Sequence, residues 1–232
     1  MRQVIVNADD FGLTPGVNDG IIAAHRQGIV TSASLMVRQP AAADAAQLAK
    51  EHAGLGLGLH VDLGEWYFDG ADWVPLYRWV DDDSCESLRA EVASQLALFG
   101  ALTGRLPGHL DSHQHVHRRE PLRGILVHVA HQLGVPLRHE AAGIRYEGSF
   151  YGQTDDGRAL PDLIAPGRLV ELLWSLGDGV TELACHPAAR SDVTAAYGDE
   201  RVRELAALCD PAVRQAVQQA GIRLCSFAEV SR

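Results

Sequence analysis

Lysine is nearly missing from this 232-residue chain: Lys50 stands alone, so arginine carries almost all of the positive charge. Lys and Arg together number 20 against 30 Asp and Glu, a formal net charge of −10. That balance argues against a general polyanion binder, and no nucleic-acid partner is expected. Cysteine is scarce and scattered: Cys85, Cys185, Cys209 and Cys225 form no CxxC pair. A chain of this length buries about 70% of its extended surface without covalent staples. Free thiols and a cytoplasmic location are therefore the expectation. No run approaches the ~20 apolar residues of a membrane span. The opening MRQVIVNADDFG is too short an apolar stretch for a signal peptide, and Asp9 and Asp10 interrupt it. Several catalytic signatures are also missing. No GxGxxG follows a strand, because Gly54, Gly56 and Gly58 alternate with Leu55 and Leu57 and lead into no helix. There is no Walker loop and no GxSxG elbow.

With 47% apolar and 22% charged residues, the chain has the composition of a folded domain. Its pattern alternates strand and helix about seven times. Strands are expected at residues 3–8, 30–37, 55–61, 108–111, 135–138, 180–185 and 222–225. Helices are expected at 17–27, 40–52, 84–102, 122–133, 166–176, 200–209 and 211–220. This order predicts an α/β fold with a parallel sheet, open or closed into a barrel, and one domain over residues 1–232. Alternating Gly and Leu in the third strand predicts a face crowded by a close neighbour. Residues 62–83 read as irregular, rich in aromatics such as Trp66, Trp73 and Trp79 and ending in Asp81, Asp82 and Asp83. Residues 139–162 read as a second, functional loop.

The chemistry lies in where Asp and His fall. Asp9 and Asp10 follow the first strand, and His60 and Asp62 close the third. His109, Asp111 and His113 occupy the fourth strand or its exit, followed by His115 and His117, and His186 follows the sixth strand. In a parallel α/β fold all strand C-termini share one face, so these residues converge where such folds bind ligands. One Asp and two His make a reasonable set for a divalent cation, and a second Asp beside the first sits within reach of an activated water. The histidines from 109 to 117 share parity in an extended chain, which puts Asp111 and His113 on one face. Their span exceeds about 25 Å when extended, so only one or two can ligate and the rest orient ligands or touch substrate. His25, His52, His128 and His131 lie on helices and are read as non-catalytic. Cys185 and His186 point to opposite faces of a strand, which argues against thiol chemistry.

Four segments carry a resemblance: Val6-Asn7-Ala8-Asp9-Asp10-Phe11-Gly12, Gly58-Leu59-His60, Asp111-Ser112-His113-Gln114-His115-Val116-His117 and Cys185-His186-Pro187. With the segment from Gly28 to Met36, they resemble the YdjC-like carbohydrate deacetylases, a family that includes chitooligosaccharide deacetylases and the HpnK-like proteins. The resemblance spans essentially the whole chain. It implies a distorted, TIM-barrel-like (β/α) barrel related to the polysaccharide deacetylases. It implies a metal site of Asp10, His60 and His113, with Asp9 as general base and His186 as general acid. The cation it implies is Mg2+, with Zn2+ as the alternative. The implied substrate is an acetylated sugar or short oligosaccharide, and a homodimer is compatible with it. Asp111, His115, His117, Arg138, Trp66 and Tyr151 are then candidates to support the ligands or contact the substrate. The compact segment after His60 bears on substrate size. Two other readings stay open at this level: a metal-dependent hydrolase of another small amide or ester, and a metal- or sugar-binding protein without turnover.

Overall fold

The computed structural model describes residues 1–80, 84–193 and 197–230. Strand β1 (Arg2–Phe11) is the centre of the architecture. It is buried on both faces from Val4 to Phe11, as a strand covered by helices on one side and by its own sheet's interior on the other must be. Around it stand β2 (Ser32–Leu35), β3 (Gly56–Val61), β6 (Leu110–Ser112), β7 (Ile144–Glu147) and β8 (Gly179–Cys185), in the order β6-β3-β2-β1-β8-β7. The short β9 (Arg223–Leu224) also pairs with β1, at Gln3 and Val4. Every pairing in this sheet is parallel. The sheet is curled and open, a distorted TIM-barrel-like α/β fold. Beyond β6, Leu137 adds a single parallel bridge to Leu110.

The helices follow local chemistry. Thr14 caps α1 (Pro15–Gln27) by accepting from the Val17 amide, and Pro15 stands where no helical N–H is needed. Ser84 caps α3 (Cys85–Thr103) through the Ser87 amide. Gly134 ends α4 (Leu122–Leu133) in a left-handed conformation with φ 66°. The remaining helices are α2 (Ala42–Glu51), α5 (Pro166–Ser175), α6 (Asp199–Leu208), α7 (Pro211–Gln219) and the short α8 (Phe227–Val230). Among the described residues, no helix is long and apolar enough to cross a membrane.

Three expectations need correction. The segment after His60 is not irregular: β4 (Gly64–Phe68) and β5 (Trp73–Arg78) form an antiparallel hairpin. Its turn closes on Asp69, whose side chain accepts from the amides of Ala71 and Asp72. This Asp turn does the work that an Asn-Gly pair does in tighter hairpins. Asp81, Asp82 and Asp83 lie outside the described residues. Residues 135–138 make only the bridge at Leu137, and the strand on that side of the chain is β7, inside what reads as a loop. Its register alongside β8, from Ile144 with Val180 to Glu147 with Leu183, supplies a pairing that no local signal announces.

The crowding expected in β3 is present. A Cβ on Gly58 would fall 2.4 Å from the His109 ring. That ring stacks on Phe227 with centroids 3.9 Å apart. Gly58→Ala is thus expected to lower Tm by about 2–10 °C in a thermal melt, the overpacking cost in a chain of this size. An unchanged melt would mean that His109 moves aside freely.

Candidate active site

Strand β1 delivers both acids of Asp9 and Asp10. In a regular strand adjacent side chains point to opposite faces. Here the register with β2 shifts between Ala8 and Phe11, and Asp10 takes φ 66°. Such an irregularity re-aims side chains, and both carboxylates come to His60. Asp10, His60 and His113 offer donor atoms within 4.8 Å of one another, and so do Asp9, His60 and Asp111.

Of the two groups, Asp10, His60 and His113 offer the better donor set for a cation. Asp10 Oδ1 lies 3.3 Å from His60 Nε2 and 3.0 Å from His113 Nδ1. Two imidazoles thus converge on one carboxylate oxygen, and all three side chains are buried. One oxygen and two nitrogens suit a divalent cation of hard to borderline character. His113 presents Nδ1 to Asp10, while its Nε2 is buried with no hydrogen-bond partner, 3.9 Å from Glu65 Oε2. In the other group the donors are already engaged. His60 Nδ1 bonds to Asp111 Oδ1 at 2.7 Å, and Asp9 and Asp111 both face Arg138. A carboxylate bonded to one ring nitrogen fixes an imidazole's tautomer and orientation, and Asp111 does this for His60.

The neighbouring charges offset the cost of burying these groups. Burial alone would raise the carboxyl pKa of Asp10, but Arg201 Nη2 at 2.6 Å and the neighbouring histidines hold it well below the usual range. Burial opposes charge on His60 and His113, yet the carboxylates around them win. Asp111, Asp10 and Asp9 hold His60 well above its ordinary value, and Asp10 and Glu65 raise His113.

Asp9 is gripped through both oxygens. Arg138 donates to Oδ2 at 2.6 Å and to Oδ1 at 2.7 Å, and Asn7 donates to Oδ1 at 2.8 Å. Burial is overcome and the Asp9 pKa is lowered. Arg138 also meets Asp111 Oδ2 at 2.9 Å and Glu182 Oε1 at 2.6 Å, with its side chain fully buried. Burial dominates at Glu182, whose pKa is pushed up to about 7 despite that pairing.

His186 sits at the end of β8 with Nε2 3.8 Å from Asp9 Oδ2. Its far side faces Glu204, whose Oε1 is 3.8 Å from Nδ1 and whose Oε2 accepts from the His186 amide at 2.5 Å. Tyr197 donates to Glu204 and stacks on Tyr151, with centroids 4.5 Å apart and planes 4° from parallel. Tyr151 therefore lies at the His186 ring, where its exposed face can meet a ligand. Trp66 belongs to the hairpin, and its backbone is clamped by the Gln114 side chain in both directions. Phe150, beside Tyr151 in the chain, is buried in the core.

His115 and His117 do not continue the face of His113. The chain does not stay extended there: His113–Arg118 form tight 3₁₀ turns with positive φ at Gln114 (49°) and His115 (52°). The parity argument fails at that kink, and His115 and His117 join His139 instead. His109 is held by Ser34 and the Phe227 ring, with its pKa lowered to about 4 by burial. Among the described residues, His25, His52, His128 and His131 join none of the donor groups.

Arg201, Glu204, Tyr197 and Glu65 escape a reading of the sequence. Arg201 and Glu204 lie three apart on α6, so they share its buried face. In DERVRELAAL they look like an ordinary solvated helix. The spacing of two opposite charges against an apolar Ala207 and Leu208 is the only hint they offer.

A family profile described as YdjC-like protein matches residues 3–219. A carbohydrate deacetylase of Geobacillus stearothermophilus is 34% identical over 98% of this chain and 98% of its own length. A chitooligosaccharide deacetylase of Yersinia enterocolitica is 31% identical over 98% and 99%. Among solved structures, a protein of Enterococcus faecalis V583, provisionally described as acting in cellobiose-phosphate cleavage, superposes with TM-score 0.78 at 26% identity. That match covers 100% of this chain and 99% of the other. A family 4 carbohydrate esterase of Streptomyces lividans shares the fold alone, with TM-score 0.55 at 14% identity over 97% and 90%. On the span of the profile match and the identity to full-length relatives, the chain belongs to the YdjC-like family.

Proposed function

We propose that this chain is a metal-dependent hydrolase that removes N-acetyl groups from an amino sugar or short oligosaccharide, with residues 1–232 as one catalytic unit. The observation that carries the reading is the meeting of Asp10, His60 and His113 at one buried point, with Asp9 and His186 beside it. The deacetylase names of the full-length relatives supply the reaction class. A divalent cation at such a site lowers the pKa of water and polarises a carbonyl.

The protein's own groups divide the remaining work. Asp10, His60 and His113 hold the cation, and Asp111 fixes the His60 ring. Asp9 takes the proton of the water that attacks the acetyl carbon, and Arg138 keeps its carboxylate aimed and ionised. His186, oriented by Glu204, gives a proton to the amide nitrogen as the C–N bond breaks, leaving acetate and a free amine. Tyr151 and the aromatic hairpin offer faces on which a sugar ring can stack. Family likeness favours Mg2+. The two imidazole donors keep Zn2+ beside it, because imidazole suits borderline cations. The four free cysteines support a cytoplasmic location.

The test is metal analysis of protein purified without added metal, followed by an acetate-release screen on N-acetylated mono- and oligosaccharides with the same batch. Release should stop on chelation and return with Mg2+ or Zn2+. Metal-replete protein that frees no acetate from any of these substrates would overturn the reading.

A further inference from the structure

The Asp10 centre leaves a second group of donors unused. His115, His117 and His139 also present ligating nitrogens within 4.8 Å of one another. Among the described residues no carboxylate completes this set, and its members come from two separate segments: the turns after β6 and the bend after Arg138. His117 is 1% exposed. Its Nδ1 contacts Ser112 Oγ at 2.7 Å, and its Nε2 is buried with no partner. Leaving a buried polar nitrogen unmatched costs about 1–3 kcal/mol. His115 repeats the pattern. Its Nε2 meets the Tyr146 hydroxyl at 3.2 Å, while its Nδ1 is buried and unpartnered. In each ring one nitrogen is fixed by a hydroxyl and the other is left free, as in ligating histidines whose outer nitrogen is held by a second group.

The backbone is shaped around the same residues. Among the described residues, four other than glycine have positive φ: Asp10, Gln114, His115 and His139. The first belongs to the Asp10 centre. The other three form or adjoin the histidine group. Conformations of this kind cost roughly 1–3 kcal/mol each and persist where surrounding structure enforces them.

We propose that His115, His117 and His139 form a second cation site, histidine-only, for a borderline first-row dication of the zinc, nickel or copper class. Neutral imidazoles without carboxylates select against Mg2+ and Ca2+, which take oxygen donors. A tetrahedral ion would draw the three nitrogens to about 3.3 Å from one another and leave one position to water. His139 is exposed and gives the ion an entry route. The charge of Arg138 next to it is matched by Asp9, Asp111 and Glu182, so it does not stand uncompensated against a cation. An ion here staples the His113–Arg118 turns to the residue that follows Arg138. It therefore ties together two segments that serve the Asp10 centre. The site stands independently of the deacetylase reading.

Equilibrium dialysis against Zn2+ with metal content read by mass spectrometry tests it. Wild type, His139→Gln and Asp10→Asn are compared, each with a thermal melt to confirm folding. Wild type is expected to hold two ions per chain and each variant one, with Zn2+ raising the Tm of Asp10→Asn. His139 is exposed, and the melt reports whether its substitution leaves the fold intact. A second ion retained by His139→Gln would overturn the site, because that ion lies elsewhere. One ion in wild type that survives His139→Gln and vanishes in Asp10→Asn would also overturn it, while leaving the Asp10 centre standing. One ion that behaves in the opposite way would support the histidine site and remove the basis of the Asp10 reading.

Discussion

Asp9→Asn is expected to cut acetate release by about 10²–10⁴-fold, the contribution of a positioned general base, and to leave the cation of the Asp10 centre bound. The amide keeps the shape of the carboxylate, and its one oxygen can still accept from Arg138, but it cannot take a proton from water. The prediction rests on a division of labour between neighbours. Asp10 faces the two imidazoles, whereas Asp9 is held through both oxygens by Arg138 and Asn7 and reaches towards His186. Acetate release and metal content are measured on one preparation. Activity lost together with the metal would make Asp9 a ligand and remove its role as base. Activity retained within threefold would remove the role as well.

Arg138→Met is expected to destabilise the protein by about 3–5 kcal/mol, the cost of breaking a buried ion pair by taking one partner away. For a chain of this size that lowers Tm by about 10 °C. The side chain is fully buried and faces Asp9, Asp111 and Glu182 at 2.6–2.9 Å. Solvent screening therefore does little to soften its loss. The pH dependence gives the charge mechanism a signature. In the wild type, burial would raise the Asp9 and Asp111 pKa values, but Arg138 outweighs it and both are lowered. Their stabilisation is present above the unfolded value near 3.8 and is lost as pH falls through the folded value. Without the guanidinium, burial is opposed far less and the folded pKa values rise. The variant then loses stability as pH rises. Urea melts at pH 5 and pH 8 should show the gap between variant and wild type widening towards pH 8. An equal gap at both would assign the loss to packing.

Much of the site could be read from the chain because a parallel sheet has a direction. Once the strands are placed, Asp9, Asp10, His60, His113 and His186 all lie at C-terminal ends, and the ends of parallel strands share a face. No knowledge of the pairing order is needed for that step. The helices were equally legible from their apolar spacing, although α1 starts at Pro15 behind the Thr14 cap, two residues before the spacing alone places it. The hairpin after His60 and strand β7 were not, because each depends on a partner strand. Nor did periodicity resolve the histidine run. Parity predicts side-chain direction only while the backbone stays extended, and at Gln114 and His115 it does not.

Composition and pattern by themselves determined the α/β alternation and the gathering of acids and imidazoles at one end of the sheet, since these follow from local periodicity and strand polarity. The tertiary structure alone decided which groups face one another. It turned Asp10 to join Asp9 on the same locus, diverted His115 and His117 to His139, and set Arg138, Arg201 and Glu204 behind the reactive groups. Those ion pairs join residues as many as 191 positions apart. A charged residue carries no local mark of such a partner, because burial of its charge is settled only when the opposite charge arrives from elsewhere in the fold.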